Sequence, residues 1–296
     1  MKVGILVVTY NRLELLKEVV SSLRSQTYKE RDIIVVNNGS SDGSEEWLLQ
    51  QSDIHVITQG NVGGAGGFNT GLRYVAESGY DACWLMDDDV VCQPDALEQL
   101  IEAFEAEPNL GYVCSKVVGL DGVPMNVPMV DQRTRNGRYQ DWMKYIDRQM
   151  IKIESSTFVS LFVPTSVVKK VGLPYKQYFI WGDDAEYTMR ITRKYDAYLA
   201  CKSVVTHKRT IQGDLLFENE TNKQRLKNFF YYFRNQTHIV AKYKGTIKTI
   251  GNVFSLTCLF FKLFFTGRFA KSMIVLKSQF AWLFFCPKIE YIDNNK

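Results

Sequence analysis

Histidine and cysteine are scarce here, with three and six copies in 296 residues. The cysteines (Cys83, Cys92, Cys114, Cys201, Cys258, Cys286) form no Cys-x-x-Cys pair and sit mostly in apolar segments. That pattern suits buried free thiols in a reducing compartment. Met1 to Arg12 has no basic lead and no small-residue cleavage site, so it does not read as a secretory signal. The expectation is a protein that stays in the cytosol. No internal repeat or low-complexity segment is present, and no glycine-rich loop is followed by Gly-Lys-Ser/Thr or matches the spaced dinucleotide fingerprint. Acids are absent from residues 242–289, which hold eight Lys/Arg.

What is present is the composition of a folded globular chain, 46% hydrophobic and 23% charged. Its length suits one large domain plus an appendage. The net charge of +4 is uneven: residues 242–296 carry nine basic and two acidic residues, and residues 1–241 carry 27 against 30. A basic tail suits nucleic acid or an anionic membrane. The aromatic stretches Val253–Phe265 and Met273–Phe285 are too greasy for a phosphate-tracking arm, which excludes nucleic acid. At about 13 residues each they fall short of the roughly 20 needed for a span. They read as surface-lying amphipathic helices on anionic lipid; the plainer alternative is packing on the rest of the chain or at a homo-oligomer interface.

Val3 to Val8 is a continuous run of strand formers, as in a strand buried on both faces of a parallel sheet. Leu13, Leu16, Val19, Val20 and Leu23 follow at helical spacing. A second strand, Ile33–Val36, ends in Asn37–Ser44, and a third spans Ile54–Thr58. The glycine-rich stretch Gly63–Gly67 reads as a loop leading to a helix over Phe68–Ala76. Cys83–Met86 is a strand, and Pro94 opens a helix through Phe104. After Tyr112–Val118 the pattern loosens, and residues 119–150 have no assignable element. Phe158–Val163, a helix near Ser166–Val171, another running through Arg193 and a strand Ala197–Ala200 continuing toward His207 complete the alternation. From about Leu216 the chain reads helical to its end. Strand–helix alternation of this kind predicts an α/β fold with a mostly parallel sheet, its ligands bound where the strands exit.

The chemistry concentrates at those exits. Trp84-Leu85-Met86 ends in Asp87-Asp88-Asp89. Alternation along a strand points Asp87 and Asp89 one way and Asp88 the other. Two same-facing carboxylates call for a hard divalent cation, Mg²⁺ or Mn²⁺, which commonly also holds a phosphate; the bland reading is a solvated strand end or a helix cap. Asp42 could accept from a pyrimidine imide N–H or cap the helix at Ser44. Gly63–Gly67 could bring backbone N–H groups to a phosphate or pack tightly on the sheet. Asp183-Asp184, beneath Tyr178, Phe179 and Trp181 and followed by Glu186, offers a general base beside an aromatic sugar platform, or a helix N-terminal acid pair. His207 alone would read as structural; beside a carboxylate pair lacking a third ligand it is a candidate metal ligand.

Together these residues resemble the inverting family 2 glycosyltransferases of GT-A fold, over about residues 1–210. The resemblance rests on Val7–Arg12, Asn38–Ser44, Asn61-x-Gly63 through Asn69-x-Gly71, Asp87–Asp89, Asp183-Asp184 and His207. It implies a catalytic domain over 1–215; residues 216–296 are then the helical, basic and aromatic region, expected from its composition to associate with the inner face of the cell membrane. It implies nucleotide-sugar contacts from Thr9, Asn11, Arg12, Asn38, Asp42, Asn61, Gly63, Gly64, Asp87, Asp88 and Trp181, and a Mn²⁺ or Mg²⁺ site at Asp87, Asp89 and His207. Asp184 matches the catalytic base, with Asp183 standing where the common pattern has Glu. Asn61–Phe68 and Phe179–Tyr187 look most like galactofuranosyltransferases, with rhamnosyltransferases as cousins. The implied reaction is inverting transfer from UDP-galactofuranose, or alternatively dTDP-rhamnose, to a glycan or lipid-linked glycan. A sugar-phosphate nucleotidyltransferase would need a basic glycine loop after the first strand, and a non-catalytic glycan-binding protein would not need Asp183-Asp184.

Overall fold

The computed structural model describes residues 1–107, 109–134, 139–209 and 216–292. They form two compact units: Met1–Lys176 with Asp184–Gln212 and Ile289–Lys296, and Gln177–Asp183 with Gly213–Lys288. Of the domain boundary expected at 215/216, residue 215 lies outside the described set.

The first unit opens with β1 (Val3–Thr9), α1 (Leu13–Arg24), β2 (Arg31–Asn37), the short α2 (Ser44–Leu48), β3 (Ile54–Thr58), α3 (Gly63–Glu77) and β4 (Ala82–Asp87). Next come β5 (Val90–Cys92), α4 (Ala96–Glu105), β6 (Leu110–Val118), β7 (Met129–Val130), β8 (Met150–Ser155) and β9 (Leu161–Pro164). The unit continues with α5 (Thr165–Val171), α6 (Asp183–Thr192) except for its first residue, and β10 (Asp196–His207). The strand order is β3-β2-β1-β4-β9-β6-β10-β8-β7, with β5 paired to β10. The β3-β2-β1-β4 half is parallel and both faces are covered, so β1 is buried along its whole length. Beyond β4 the sheet is mixed, because β9 inserts antiparallel between β4 and β6. Leu16, Val20, Trp84, Leu100 and Phe162 fill one face of the sheet, and Leu72, Val75, Leu85, Leu161 and Ile191 the other.

Register sets the working edge. Thr9 lies opposite Asn37, and Val8 opposite Asp87, so β1, β2 and β4 release their polar ends side by side. On β10, His207 lies opposite Val90, the residue after Asp89. A strand pairing between segments more than 100 residues apart thus brings the histidine to the aspartates.

Several elements depart from the sequence reading. The glycine-rich stretch is the first turn of α3, which starts at Gly63 and not at Phe68. A Cβ at Gly67 would collide with Val8 and one at Gly71 with Leu6, so bare backbone lets α3 lie close on β1. Residues 119–150 contribute β7, the start of β8 and a 3₁₀ turn at Ile146–Arg148. Of the six cysteines, three are buried (Cys83, Cys92, Cys114), while Cys258 and Cys286 are exposed. Helix also stops before the end: the chain leaves its last helix at Leu283, and Glu290 returns to the first unit. There Glu290 accepts from Leu173 N at 2.8 Å and pairs with Arg73 and Lys176.

The second unit holds α7 (Lys223–Tyr243), α8 (Thr246–Phe265) and α9 (Phe269–Leu283) around Phe217, Phe229, Phe233, Leu256, Leu263 and Val275. Asn222 starts α7 by accepting from Gln224 N and Arg225 N, each at 3.0 Å. At 20 residues, α8 outruns the apolar stretch read from sequence, and by length and composition it could cross a membrane.

Candidate active site

The three aspartates face as expected, although only Asp87 is in β4: Asp88 and Asp89 form the turn to β5. Asp88 turns toward β1, accepting from Thr9 Oγ1 at 2.8 Å, Tyr10 N at 3.3 Å and Arg12 at 3.0 Å. The same guanidinium nitrogen reaches Asp89 Oδ2 at 2.6 Å, so Arg12 bridges both acids. Burial pushes the Asp88 carboxyl up to about 6, with Arg12 opposing. Asp87 and Asp89 face His207, and one ligand atom from each of the three lies within 4.8 Å of the others.

The electrostatics of this corner are unbalanced. Burial pushes the Asp87 carboxyl upward, and Asp89, Asp88 and Asp184 add like-charge repulsion while His207 pulls against them. At Asp89 burial also acts upward, but His207 and Arg12 outweigh it and hold the carboxyl below its usual range. His207 Nε2 comes to 3.1 Å from Asp89 Oδ1, yet that oxygen is buried with no aligned hydrogen-bond donor. On the far side of the ring, Nδ1 lies 2.9 Å from Asn126 Oδ1. An amide oxygen only accepts, so Nδ1 is the donor in that bond; a protonated ring also donates from Nε2 to Asp89, and a neutral one leaves the Nε2 lone pair for a cation. An unmatched carboxylate oxygen, a second, half-buried carboxylate and an oriented imidazole are a donor set that fits a divalent cation such as Mg²⁺ or Mn²⁺.

Asp184 stands in the first turn of α6, and its charge is among those that raise Asp87. A carboxylate from the second half of the fold therefore shares a neighbourhood with the triple-aspartate corner. Its Oδ1 accepts from Ala185 N at 2.7 Å. Glu186, the third acid of this stretch, turns away: it is fully buried and pairs with Arg190 at 2.8 Å.

The loops beside β1 and β2 are tied to one another. Asn11, in left-handed backbone (φ 53°), accepts from Ser41 N at 2.7 Å. Asp42 accepts from Leu13 N and Ser44 N, the first residues of α1 and α2, and from the Ser44 hydroxyl. Burial acts upward on Asp42, but these hydrogen bonds win and hold it low. The capping role is thus real, and a carboxylate has lone pairs to spare. Asn38 is buried and donates to Gly63 O at 3.0 Å while accepting from Gln59. Asn61 accepts from Gly63 N at 2.9 Å. Gly64 has open space where a Cβ would point. Asp183 and Trp181 belong to the second unit, where the indole lies edge-on to Phe229 and Tyr232.

Asn126 escaped sequence reasoning. It lies in a polar stretch without periodicity, and only the long-range approach to His207 reveals it.

A parallel α/β half ending in an Asp-x-Asp corner, joined to a mixed half that supplies a histidine and a helix-borne carboxylate, defines a GT-A glycosyltransferase domain. The chain belongs to glycosyltransferase family 2: residues 4–158, just over half of its length, match the family described as Glycosyl transferase family 2. It is 29% identical over 142 residues to an uncharacterized glycosyltransferase of Nostoc sp., covering 46% of this chain and 42% of the relative. It is 31% identical over 112 residues to poly-beta-1,6-N-acetyl-D-glucosamine synthase of Staphylococcus aureus, covering 36% and 26%. The matched region therefore spans less than half of either relative. Among solved structures it resembles S. aureus TarS 1–349 in complex with UDP-GlcNAc (TM-score 0.56, 15% identity, 81% of this chain and 67% of that one). It also resembles GalNAc-T7 with UDP, GalNAc and Mn²⁺ (TM-score 0.56, 12% identity, 80% and 51%). These structural likenesses establish the fold.

Proposed function

We propose that the chain is a metal-dependent, inverting hexosyltransferase. It moves galactofuranose from UDP-galactofuranose to a hydroxyl of a lipid-linked or growing cell-surface polysaccharide, at the inner face of the cell membrane. What supports this reading above all is the grouping of Asp87, Asp89 and His207, with ligand atoms within 4.8 Å of one another, together with the Asp184 charge that acts on Asp87.

The donor diphosphate meets Arg12 and the corner formed by Asp87, Asp89 and His207; a divalent cation held there supplies Lewis-acid neutralisation of the leaving group. Asp42 takes the base, and the open Gly64 backbone lets the donor approach closely. Thr9, Asn11, Asn38, Asn61 and Gly63 hold these loops in place through the bonds described above, and Asp88 holds Arg12. Trp181 is carried over from the resemblance as a contact of the nucleotide sugar. Asp184 removes the acceptor hydroxyl proton as the C–O bond forms, a contribution of about 10² to 10⁴ in rate. One displacement inverts the anomeric centre. Asp183, beside it in sequence, is the alternative base.

Support for the donor comes from the likeness of Asn61–Phe68 and Phe179–Tyr187 to galactofuranosyltransferases; support for a polysaccharide acceptor comes from the S. aureus synthase. The test is nucleotide release from UDP-galactofuranose, dTDP-rhamnose and UDP-GlcNAc with lipid-linked acceptors, for the wild-type chain and Asp184→Asn. Release from UDP-galactofuranose alone, abolished in Asp184→Asn while UDP still binds, is the expected result. Preference for another donor overturns the sugar assignment, and full activity of Asp184→Asn overturns the base.

A further inference from the structure

The two terminal helices present one continuous apolar face that the second unit's core does not use. On α8, Ile247, Ile250, Phe254, Phe261 and Phe265 recur at spacings of three, four and seven, which places them on one side of the helix. All five are exposed, Ile247 at 87% and Phe265 at 79%. On α9 the stripe continues through Phe269, Met273 and Phe280 to Phe284 just past the helix. Phe264 and Phe269, 5.2 Å apart, join the two stripes at the turn. The opposite sides of both helices are committed elsewhere: Leu256, Leu263 and Val275 pack in the core with Phe229 and Phe233.

Charge decides what covers this face. Residues 242–289 hold eight Lys/Arg and no acid. At the helix turn Lys262, Arg268 and Lys271 gather around a single carboxylate, Glu218. A second copy docking through the same face would oppose positive with positive. Anionic headgroups supply the missing sign at about 1 kcal/mol for each Lys or Arg near the surface.

We propose that the α8–α9 hairpin is a docking face for an anionic bilayer and lies in the plane of the membrane. The aromatic stripe sinks to headgroup level, and α8 does not cross although its length would permit it. Crossing would strip Leu256 and Leu263 from their core partners, whereas lying flat buries only what is already exposed. This inference does not depend on the sugar chemistry, so it stands or falls separately from the catalytic reading.

The experiment is flotation of the full chain with phosphatidylcholine vesicles, with and without phosphatidylglycerol. A second readout attaches an environment-sensitive fluorophore at Cys258, in a Cys286→Ser background, or at a cysteine replacing Ile247 or Phe265. Expected are flotation with anionic vesicles only, release by high salt, and a loss of about tenfold or more in Phe261→Glu/Phe280→Glu. All three fluorophores report the same shallow depth. Flotation that resists salt and alkali, with Cys258 deep and both ends exposed, shows a spanning helix and overturns the proposal. Flotation unchanged by the two glutamates, or a vesicle-free dimer that they dissociate, overturns it equally.

Discussion

Asn126 Oδ1 accepts from His207 Nδ1 at 2.9 Å, and so orients the ring with Nε2 toward the aspartates. An outer partner of this kind tunes a ligand without touching the ion. Asn126→Ala leaves His207 free to present either tautomer. The expected outcome is an apparent affinity for Mn²⁺ or Mg²⁺ weakened by about 10 to 100-fold, with transfer recovered at saturating metal. Titrating activity against metal after chelation checks this; an unchanged half-saturation point would mean that the contact is incidental.

The glycines of α3 separate packing from ligand approach. Gly71→Ala drives a methyl into Leu6 and should cost about 1–3 kcal/mol of stability. Gly64 faces open space, so Gly64→Ala should be neutral or stabilising by up to about 1 kcal/mol. Urea unfolding measures both. If Gly64→Ala is as stable as wild type but binds UDP-sugar more weakly, the loss belongs to the ligand; unaltered binding would remove Gly64 from the donor site.

The parallel half was readable because its information is local. Val3–Val8 and Ile33–Val36 carry β-branched runs that few other environments accept; Asp87 and Asp89 do face one way, but Asp89 lies in the turn after β4, so the turn and not strand alternation sets its direction. The start of α3 was not readable, since glycine has low helix propensity and only contact with Val8 and Leu6 makes its absence of a side chain useful. The junction of His207 with Asp89 depends on β10 pairing with β5, a register that no local pattern encodes. Glu186 shows the converse: as an acid near Asp184 it resembled part of the site, but its partner one helical turn on makes it structural.

That assignment is testable. Glu186 and Arg190 are both buried, and Arg190 also donates to Val171 O and Leu173 O. Glu186→Gln leaves the guanidinium charge without its counterion inside the protein. The expected cost is about 3 kcal/mol or more of stability, because breaking one side of a buried pair strands the other. The folded fraction should keep a near-normal kcat. A stable variant with a collapsed kcat would return Glu186 to the catalytic set.

Within the second unit, the segment Tyr178–Gly182 bends through three positive φ angles, at Phe179 (65°), Trp181 (62°) and Gly182 (91°). For two bulky aromatics this conformation costs of order 1–3 kcal/mol each and must be held from outside. The holder is Asn235, fully buried on α7, whose Nδ2 donates to Tyr178 O, Ile180 O and Trp181 O at 3.0, 3.2 and 2.8 Å. Its own Oδ1 accepts from Arg234, which also donates to Gln177 O. Asn235→Ala removes the donor and leaves carbonyls buried, a loss of about 1–3 kcal/mol. Asn235→Asp keeps the shape but aims a carboxylate at those same carbonyl oxygens, so it should be the worse of the two. Thermal unfolding gives the ranking, and the KM for the nucleotide sugar should rise in both variants if Trp181 contacts it. An aspartate variant as stable as the alanine one would show that the bend is held by something other than this amide.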